Sequence, residues 1–169
     1  HVPEVRKMNE GKTLNKTIAA VMDTGVIYDH SDLKDSMIVL STDIFKSLGY
    51  ENPASFDGSC GIWFHSVERS SSLVTPVPIG GKGFTASGGT SDDIDNGTFE
   101  EMRVIGDIDG HGTHVAGIVG AAGSYTSDDA AVGVSSQASI MAINTFSKVK
   151  NDKGSYFTTM YDSDLFRAI

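Results

Sequence analysis

The ten residues from 107 to 116 concentrate the groups in this chain that could do acid–base chemistry. They read Asp-Ile-Asp-Gly-His-Gly-Thr-His-Val-Ala, and a run of small apolar residues continues to Ala122. The run predicts a buried helix that begins near His111. Glycines on either side of His111 would let other chain segments come close to its ring. A general base needs a fixed ring with room for a substrate in front of it, so the pattern predicts this role for His111.

A carboxylate stands at the end of an earlier apolar run. Residues 17–22 read Thr-Ile-Ala-Ala-Val-Met and predict a strand buried on both faces of a parallel sheet, with Asp23 directly after it. Chemistry in open α/β sheets gathers at the carboxyl ends of the strands. Taken alone, however, Asp23 also fits a loop carboxylate that opens a turn at Gly25.

Both stretches resemble motifs of one protein family. His-Gly-Thr-His-Val-Ala-Gly at 111–117 resembles the histidine motif of the subtilisin-like serine proteases, and Val-Met-Asp-Thr-Gly-Val at 21–26 resembles their aspartate motif. The aspartate motif precedes the histidine motif, as it does in that family. The resemblance implies that Asp23 and His111 are catalytic, with Asp23 accepting a hydrogen bond from His111 and fixing its tautomer.

The same resemblance implies a fold. We expect an α/β domain built on a mostly parallel sheet with helices on both faces. Residues 1–169 would be the incomplete N-terminal part of a single subtilisin-like peptidase domain, with a long insertion at about 34–106. A structureless loop of that length is unusual in a compact domain, so we expect short strands inside it. Ile62-Trp63-Phe64 and Leu73-Val74-Thr75 are the best candidates.

A protease of this family also needs a nucleophile and an oxyanion hole. The family supplies the nucleophile from a Gly-Thr-Ser-Met-Ala motif, which does not occur in these 169 residues. Gly89-Thr90-Ser91 precedes His111, and the two aspartates after it would be hard to bury behind a nucleophile. This chain would therefore carry the Asp and His of an Asp-His-Ser triad without its serine.

The resemblance implies a serine endopeptidase that cleaves protein or peptide substrates. We expect the chain alone to be inactive, because loss of the serine removes most of the effect of such a triad. A second chain or a C-terminal segment would have to complete the active site. The alternative is a catalytically inactive binding module or pseudoprotease that keeps the scaffold without the nucleophile.

Metal binding is another reading of the 107–116 segment. His111 and His114 would share a helix face, but the zincin pattern His-Glu-x-x-His needs a glutamate that this sequence lacks. Asp107 and Asp109 begin like a calcium loop, but an EF-hand needs Asp or Asn where His111 stands. For His114 we expect a packed, hydrogen-bonded helix residue.

Structural calcium of the family type is a separate prediction. His30-Ser31-Asp32-Leu33 resembles the His-Pro-Asp-Leu that follows the family's aspartate motif. The resemblance implies that Asp32 is a calcium ligand, with the loop at 123–131 as its partner. The proteolytic chemistry itself requires no cofactor.

Composition limits the partners. A formal net charge of −9 and a sequence pI near 4.8 argue against nucleic acid, since phosphate binding needs clustered Lys and Arg. One cysteine, Cys60, excludes an intrachain disulfide. No apolar run has the length of a membrane span, and the first residues show no signal-peptide pattern. The family resemblance implies an extracellular or cell-surface location.

Four further predictions concern the two ends of the chain. Residues 1–16 are polar and read as a surface lead-in, and 139–146 predict a strand. Residues 148–161 are polar and predict a loop. A helix should start at Asp162, with Asp162 or Ser163 as its cap.

Overall fold

The structure is a computed structural model that describes residues 2–9, 11–12, 16–64, 76–87, 103–123, 131–135 and 137–169. Its helices are α1 (Val2–Asn9), α2 (Thr42–Ser47), α3 (His111–Gly120) and α4 (Asp162–Ala168), and a 3-10 helix spans Pro53–Phe56. Its strands are β1 (Ile18–Asp23), β2 (Ser59–Trp63), β3 (Val77–Gly80), β4 (Ser139–Asn144), β5 (Phe146–Lys150) and β6 (Tyr156–Met160).

Four strands form one sheet in the order β1-β4-β2-β3. Strand β4 runs parallel to β1 on one side and to β2 on the other, and β3 is an antiparallel edge strand. The pairing of β1 with β4 runs from Ile18 opposite Ser139 to Asp23 opposite Asn144. The predicted α/β class and the mostly parallel sheet are therefore confirmed.

Helices cover both faces of this sheet. Because side chains alternate along a strand, Ile140 and Ala142 of β4 face one side, where they pack in a cluster with Ala116 of α3. On the other side Ile143 packs in a second cluster with Phe45 of α2, and Phe56 of the 3-10 helix belongs to the same cluster. The two-sided cover confirms the predicted layering, and it places the start of α3 on the same face as Asp23.

The first strand is less buried than predicted. Strand β1 pairs with β4 on one side and with no other described strand, so it is an edge strand among the described residues. Of its residues only Val21 is fully buried, and Ile18 is 56% exposed. The prediction of burial on both faces is wrong for β1, because Val21 faces the core under α3 whereas Ile18 and Ala20 on the opposite face are exposed. An apolar run does not reveal which face of a strand another element covers.

Helix α3 is also only partly buried. Its buried residues, Gly112, Ala116 and Gly120, recur every fourth position and form one stripe, whereas Ile118 is 67% exposed. The small residues allow close contact: a Cβ on Gly120 would lie 2.9 Å from Ile140 Cδ1. Helix α3 therefore packs closely against the sheet along one narrow face.

The predicted loop at 148–161 is wrong. Strands β5 and β6 form an antiparallel hairpin with Phe146 opposite Met160 and Lys150 opposite Tyr156. Its turn is closed by Asn151, whose side-chain oxygen accepts hydrogen bonds from the backbone N–H groups of Lys153 and Ser155, both at 2.9 Å. The mostly polar composition of this segment concealed its strand pattern.

The predictions for the two ends of the chain need correction, and one of the two strand candidates inside the predicted insertion lies outside the described residues. Residues 2–9 form α1, in which the side chains of Glu4, Val5, Lys7 and Met8 are exposed as expected of a surface segment. Helix α4 begins as predicted, but its N-cap is Tyr161 and no side chain caps it, so the predicted cap at Asp162 or Ser163 is wrong. Strand β2 contains Ile62 and Trp63 of the candidate at 62–64 and ends before Phe64, whereas the candidate at 73–75 lies outside the described residues. None of the described helices is long and apolar enough to cross a membrane.

Candidate active site

The carboxyl end of β1 and the first turn of α3 meet at one point. Asp23 is the last residue of β1, and His111 is the first residue of α3. The Nδ1 atom of His111 lies 2.8 Å from Oδ1 of Asp23 and 2.9 Å from Oδ2. These two side chains are 88 positions apart in the sequence and in direct hydrogen-bond contact in the fold.

The contact fixes the chemistry of the imidazole. A hydrogen on Nδ1 is donated to the Asp23 carboxylate, which leaves the Nε2 lone pair available to accept a proton. The side chain of Asp23 is only 14% exposed, but that of His111 is 66% exposed. The hydrogen bond from His111 to Asp23, together with the negative charge of Asp23, raises the pKa of His111 above its ordinary value of 6.5.

The first turn of α3 has no capping side chain of its own. Its N-cap residue is Gly110, with a φ of 100°. Thr24 Oγ1 accepts a hydrogen bond from the backbone N–H of Gly112 at 2.9 Å, and Asp107 Oδ2 accepts one from that of Thr113 at 2.8 Å. These side chains satisfy donors that a helix start otherwise leaves unpaired, and they hold His111 in place.

The buried carboxylate of Asp107 is the centre of this arrangement. Its Oδ1 accepts hydrogen bonds from the Thr24 hydroxyl at 2.8 Å and from the backbone N–H groups of Gly110 and Asp109 at 2.9 and 3.0 Å, and its Oδ2 also accepts one from the Thr113 hydroxyl. Burial alone would raise the pKa of Asp107, but these hydrogen bonds outweigh it and lower the pKa below its ordinary value of 3.8. Asp107 therefore acts as a structural anion that ties the helix start to the end of β1.

The close approach of α3 to the end of β1 depends on glycine residues. A Cβ on Gly112 would lie 2.1 Å from the carbonyl oxygen of Gly25 and 3.1 Å from Cβ of Asp23. A Cβ on Gly25, whose φ is +107°, would lie 2.2 Å from the carbonyl oxygen of Gly106. A larger side chain at Gly112 would push α3 away from the end of β1 and separate His111 from Asp23, and one at Gly25 would displace the segment that carries Asp107.

A buried amide lies beside Asp23. Asn144 is the residue opposite Asp23 in the β1–β4 pairing and is fully buried. Its Oδ1 accepts a hydrogen bond from the backbone N–H of Phe146 at 2.9 Å, which fixes the orientation of the amide. Within the described part of the chain its buried Nδ2 donor has no hydrogen-bond partner.

The structure does not group the other histidine and acidic candidates into a metal site. His114 is exposed, so the prediction of a packed position for it is wrong. Within the described ranges no three His, Cys, Asp or Glu side chains are close enough together to hold a metal ion. The Oδ2 of Asp32 accepts a hydrogen bond from the backbone N–H of Ala131 at 3.0 Å, and the backbone carbonyl of Asp32 accepts one from Ala122 at 2.8 Å.

The structure therefore supports only one part of the calcium prediction, the contact of Asp32 with the loop at 123–131. Asp32 does contact the loop predicted to be its partner, but most of that loop, at 124–130, lies outside the described residues. Among the described residues Asp32 belongs to no group of three His, Cys, Asp or Glu side chains, and calcium at Asp32 stays a prediction.

Sequence reasoning missed three residues that position the pair. Thr24 directly follows Asp23, and Thr113 lies two residues after His111. Each could have been found by asking which groups accept hydrogen bonds from the unpaired N–H groups at the start of α3. Asp107 was weighed only as a metal ligand. Its place three residues before a glycine N-cap is the signal that its carboxylate substitutes for a normal capping side chain.

One known protein family matches most of the chain. The model of the subtilase family, peptidase S8, matches residues 15–163, and the chain belongs to that family. The match covers both β1 with Asp23 and α3 with His111. Comparisons with curated proteins and with solved structures gave no match.

Proposed function

We propose that this chain carries the acid–base half of a serine endopeptidase active site, with Asp23 and His111 as its catalytic residues. The observation that carries the proposal is the contact of 2.8 Å between His111 Nδ1 and Asp23 Oδ1, made by a ring that is otherwise exposed. Membership of the subtilase family supports the reaction class. His111 would take the proton of a serine hydroxyl at Nε2 and then give it to the leaving amine.

Asp23 has a specific task in this scheme. The start of a helix carries a partial positive charge, which disfavours a protonated histidine at that position. The Asp23 carboxylate opposes this effect by accepting the Nδ1 hydrogen and by its own charge, which is the cause of the raised pKa of His111. Asp23 thereby stabilises the imidazolium that forms when the serine is deprotonated.

The nucleophile and the oxyanion hole would come from a segment outside these 169 residues, on the same polypeptide or on a second chain. Two features support such an addition. Strand β1 has a free edge among the described residues, with Asp23 at its end. Among the described residues the buried Nδ2 of Asn144, beside Asp23, has no hydrogen-bond partner. The chain alone is then inactive. The substrates of the completed enzyme are proteins or peptides. Its location is extracellular or at the cell surface, since subtilases are generally secreted.

Labelling with a fluorophosphonate probe tests the proposal on the product of the intact gene. We expect a serine outside residues 1–169 to be labelled, with labelling lost in His111→Ala and retained in His114→Ala. The second variant is a matched control, because His114 is an exposed histidine on the same helix. The folding of each variant is checked by circular dichroism.

Two results would overturn the proposal. Labelling of His111→Ala at the rate of the unmodified protein would show that this histidine is not the base. A folded gene product that neither takes the label nor cleaves any peptide of a mixed library would leave the binding module or pseudoprotease in its place.

A further inference from the structure

The fully buried Asn144 stands beside Asp23 on the adjacent strand. It ends β4 directly opposite Asp23 in the parallel pairing, and the backbone N–H of the next residue, Thr145, donates to the carbonyl of Asp23 at 3.2 Å. Paired residues of neighbouring strands stand about 5 Å apart. The end of β4 is thereby tied to the end of β1 at the residue that contacts His111.

The side chains of Asn144 and Asp23 point to the same face of the sheet. Alternate residues of a strand share a face. Val21 of β1 and Ala142 of β4 belong to the core cluster under α3, and Asp23 and Asn144 each follow two places later. The amide and the carboxylate therefore lie side by side on the face that α3 covers.

Only one edge of the Asn144 amide has a partner among the described residues. Its Oδ1 accepts a hydrogen bond from the backbone N–H of Phe146 at 2.9 Å, whereas its Nδ2 has none. Buried donors in native proteins are almost always paired, because an unpaired one loses its hydration without compensation. Solvent does not reach this atom, so in this chain an acceptor has to lie among the groups packed around the amide.

The Asp23 carboxylate can take one more donor. Its Oδ1 accepts hydrogen bonds from the backbone N–H of Thr24 at 2.7 Å and from His111 Nδ1 at 2.8 Å. Among the described residues its Oδ2 accepts only from the same Nδ1, at 2.9 Å, although a carboxylate oxygen can accept two hydrogen bonds. The side chain is 14% exposed, so water reaches little of it. An unpaired donor and an acceptor with spare capacity thus stand on paired residues.

The hydroxyl of Ser147 is the alternative acceptor. It is buried, lies three residues after Asn144 and has no hydrogen-bond partner among the described residues. Neighbouring residues of a strand point to opposite faces, however, and Phe146 packs against the cluster that α3 covers, so Ser147 points away from that cluster. The Asp23 carboxylate also carries a negative charge, and hydrogen bonds to charged groups are the stronger ones. Both arguments favour Asp23.

We propose that Asn144 is a positioning residue of the candidate active site and that its Nδ2 donates a hydrogen bond to Oδ2 of Asp23. The inference rests on the proposed function for the role of the Asp23–His111 pair, and it adds a third residue to that pair. The contact needs movement of side chains only, because the strand register already sets the two residues opposite each other. The amide nitrogen has two hydrogens, so the second one is left for the segment that completes the site.

The consequence of this contact concerns His111. With donors from Thr24 and Asn144 on its two oxygens, the carboxylate does not turn away from the ring. The neutral ring then keeps its hydrogen on Nδ1, and Nε2 stays free to accept the proton of a serine.

The first test is an NMR measurement of the Asn144 side-chain amide in this chain. We expect one of its two Nδ2 hydrogens to lie downfield of the other and to exchange slowly with water, and we expect Asp23→Ala to abolish this difference. Asp109→Asn is the matched control, since it removes an exposed carboxylate two residues before His111 and should leave the amide signals unchanged.

The second test follows the tautomers of His111 by nitrogen-15 NMR. The ratio of rings with hydrogen on Nδ1 to rings with hydrogen on Nε2 should fall by about two- to ten-fold in Asn144→Leu, which is the range expected for one lost hydrogen bond. Ser147→Ala removes the other buried polar group of this segment and should leave the ratio unchanged. A merely structural role of Asn144 would lower the stability of the fold without changing the ratio. Circular dichroism confirms that each variant is folded.

Three outcomes would overturn the inference: amide signals that ignore Asp23→Ala, amide signals that respond to Ser147→Ala instead, or an unchanged tautomer ratio in folded Asn144→Leu. The proposed function is judged separately by serine labelling of the intact gene product. A labelled enzyme whose Asn144 amide ignores Asp23 rejects only the inference. An unlabelled protein in which the amide responds to Asp23 rejects only the proposed function.

Discussion

Thr24 Oγ1 accepts a hydrogen bond from the backbone N–H of Gly112 at 2.9 Å, so the residue after Asp23 holds the residue after His111. The same hydroxyl donates to Asp107 Oδ1 at 2.8 Å. The distance between Asp23 and His111 is therefore set by a bond between their neighbours as well as by their own contact. This relationship explains how a largely exposed histidine keeps a fixed position.

Replacing Thr24 by valine keeps the shape of the side chain and removes its hydroxyl. Because Gly112 N–H and Asp107 then lose a buried partner, we expect the free energy of unfolding to fall by about 1–3 kcal/mol. The pKa of His111 should move toward 6.5 as the pair loosens. Thr24→Ser is the matched control, since it keeps the hydroxyl and should keep the raised pKa. Equal behaviour of both variants in denaturant unfolding and in NMR titration would contradict this role.

Asp107→Asn tests the buried anion. The amide replaces a carboxylate oxygen by a donor that faces other donors, so we expect a loss of about 2–4 kcal/mol in urea unfolding at neutral pH. The exposed Asp109→Asn carries the same charge change and should cost less than about 0.5 kcal/mol. Equal losses would show that the charge of Asp107 does not hold α3.

A pair of glycines on α3 tests the close approach. Gly112→Ala places a Cβ 2.1 Å from the carbonyl oxygen of Gly25, so we expect a loss of about 2 kcal/mol or more and a weakened Asp23–His111 contact. At Gly117 a Cβ would meet nothing within 4 Å, so Gly117→Ala should be neutral or stabilise the helix by up to about 1 kcal/mol. A Gly112→Ala chain as stable as the unmodified protein would contradict the packing described.

The pH dependence of stability follows from the two shifted groups. His111 has a raised pKa, so the contribution of its contact is fully present below pH 6.5 and is lost as the pH rises through the raised pKa. Asp107 has a lowered pKa, so its contribution is present above pH 3.8 and is lost as the pH falls through the lowered pKa. We expect Asp23→Asn to be destabilised more at about pH 5.5 than at about pH 9, and Asp107→Asn more at about pH 7 than at about pH 3. Denaturant unfolding at these pH values measures the loss of stability in each variant. A larger loss at about pH 9 for Asp23→Asn, or at about pH 3 for Asp107→Asn, would contradict the pKa shifts assigned to His111 and Asp107.

The elements that carry the pair could be predicted because their signals are local. An apolar run that ends in Asp23 and a small-residue run that starts after His111 are enough to indicate a strand and a helix. Their meeting point was inferred from the family motifs, and the structure brings the two side chains into contact at 2.8 Å.

Other features depend on partners that are distant in the sequence. Thr24 and Asp107 meet across 83 positions. The unpaired N–H groups at the start of α3 indicate that partners are needed, but they do not indicate that these two residues contact each other. The hairpin at 146–160 was missed because its strands are rich in polar residues, and the edge position of β1 was missed because a strand's neighbours are a property of the sheet. The exposure of His114 likewise depends on what packs against α3, which a helical pattern alone does not reveal.

The most direct measurement of the central claim is a nitrogen-15 NMR titration of His111 in this chain. We predict that the neutral ring carries its hydrogen on Nδ1, that its pKa lies above 6.5, and that Asp23→Asn lowers this pKa. A neutral ring with its hydrogen on Nε2 and a pKa that does not respond to Asp23→Asn would contradict the account.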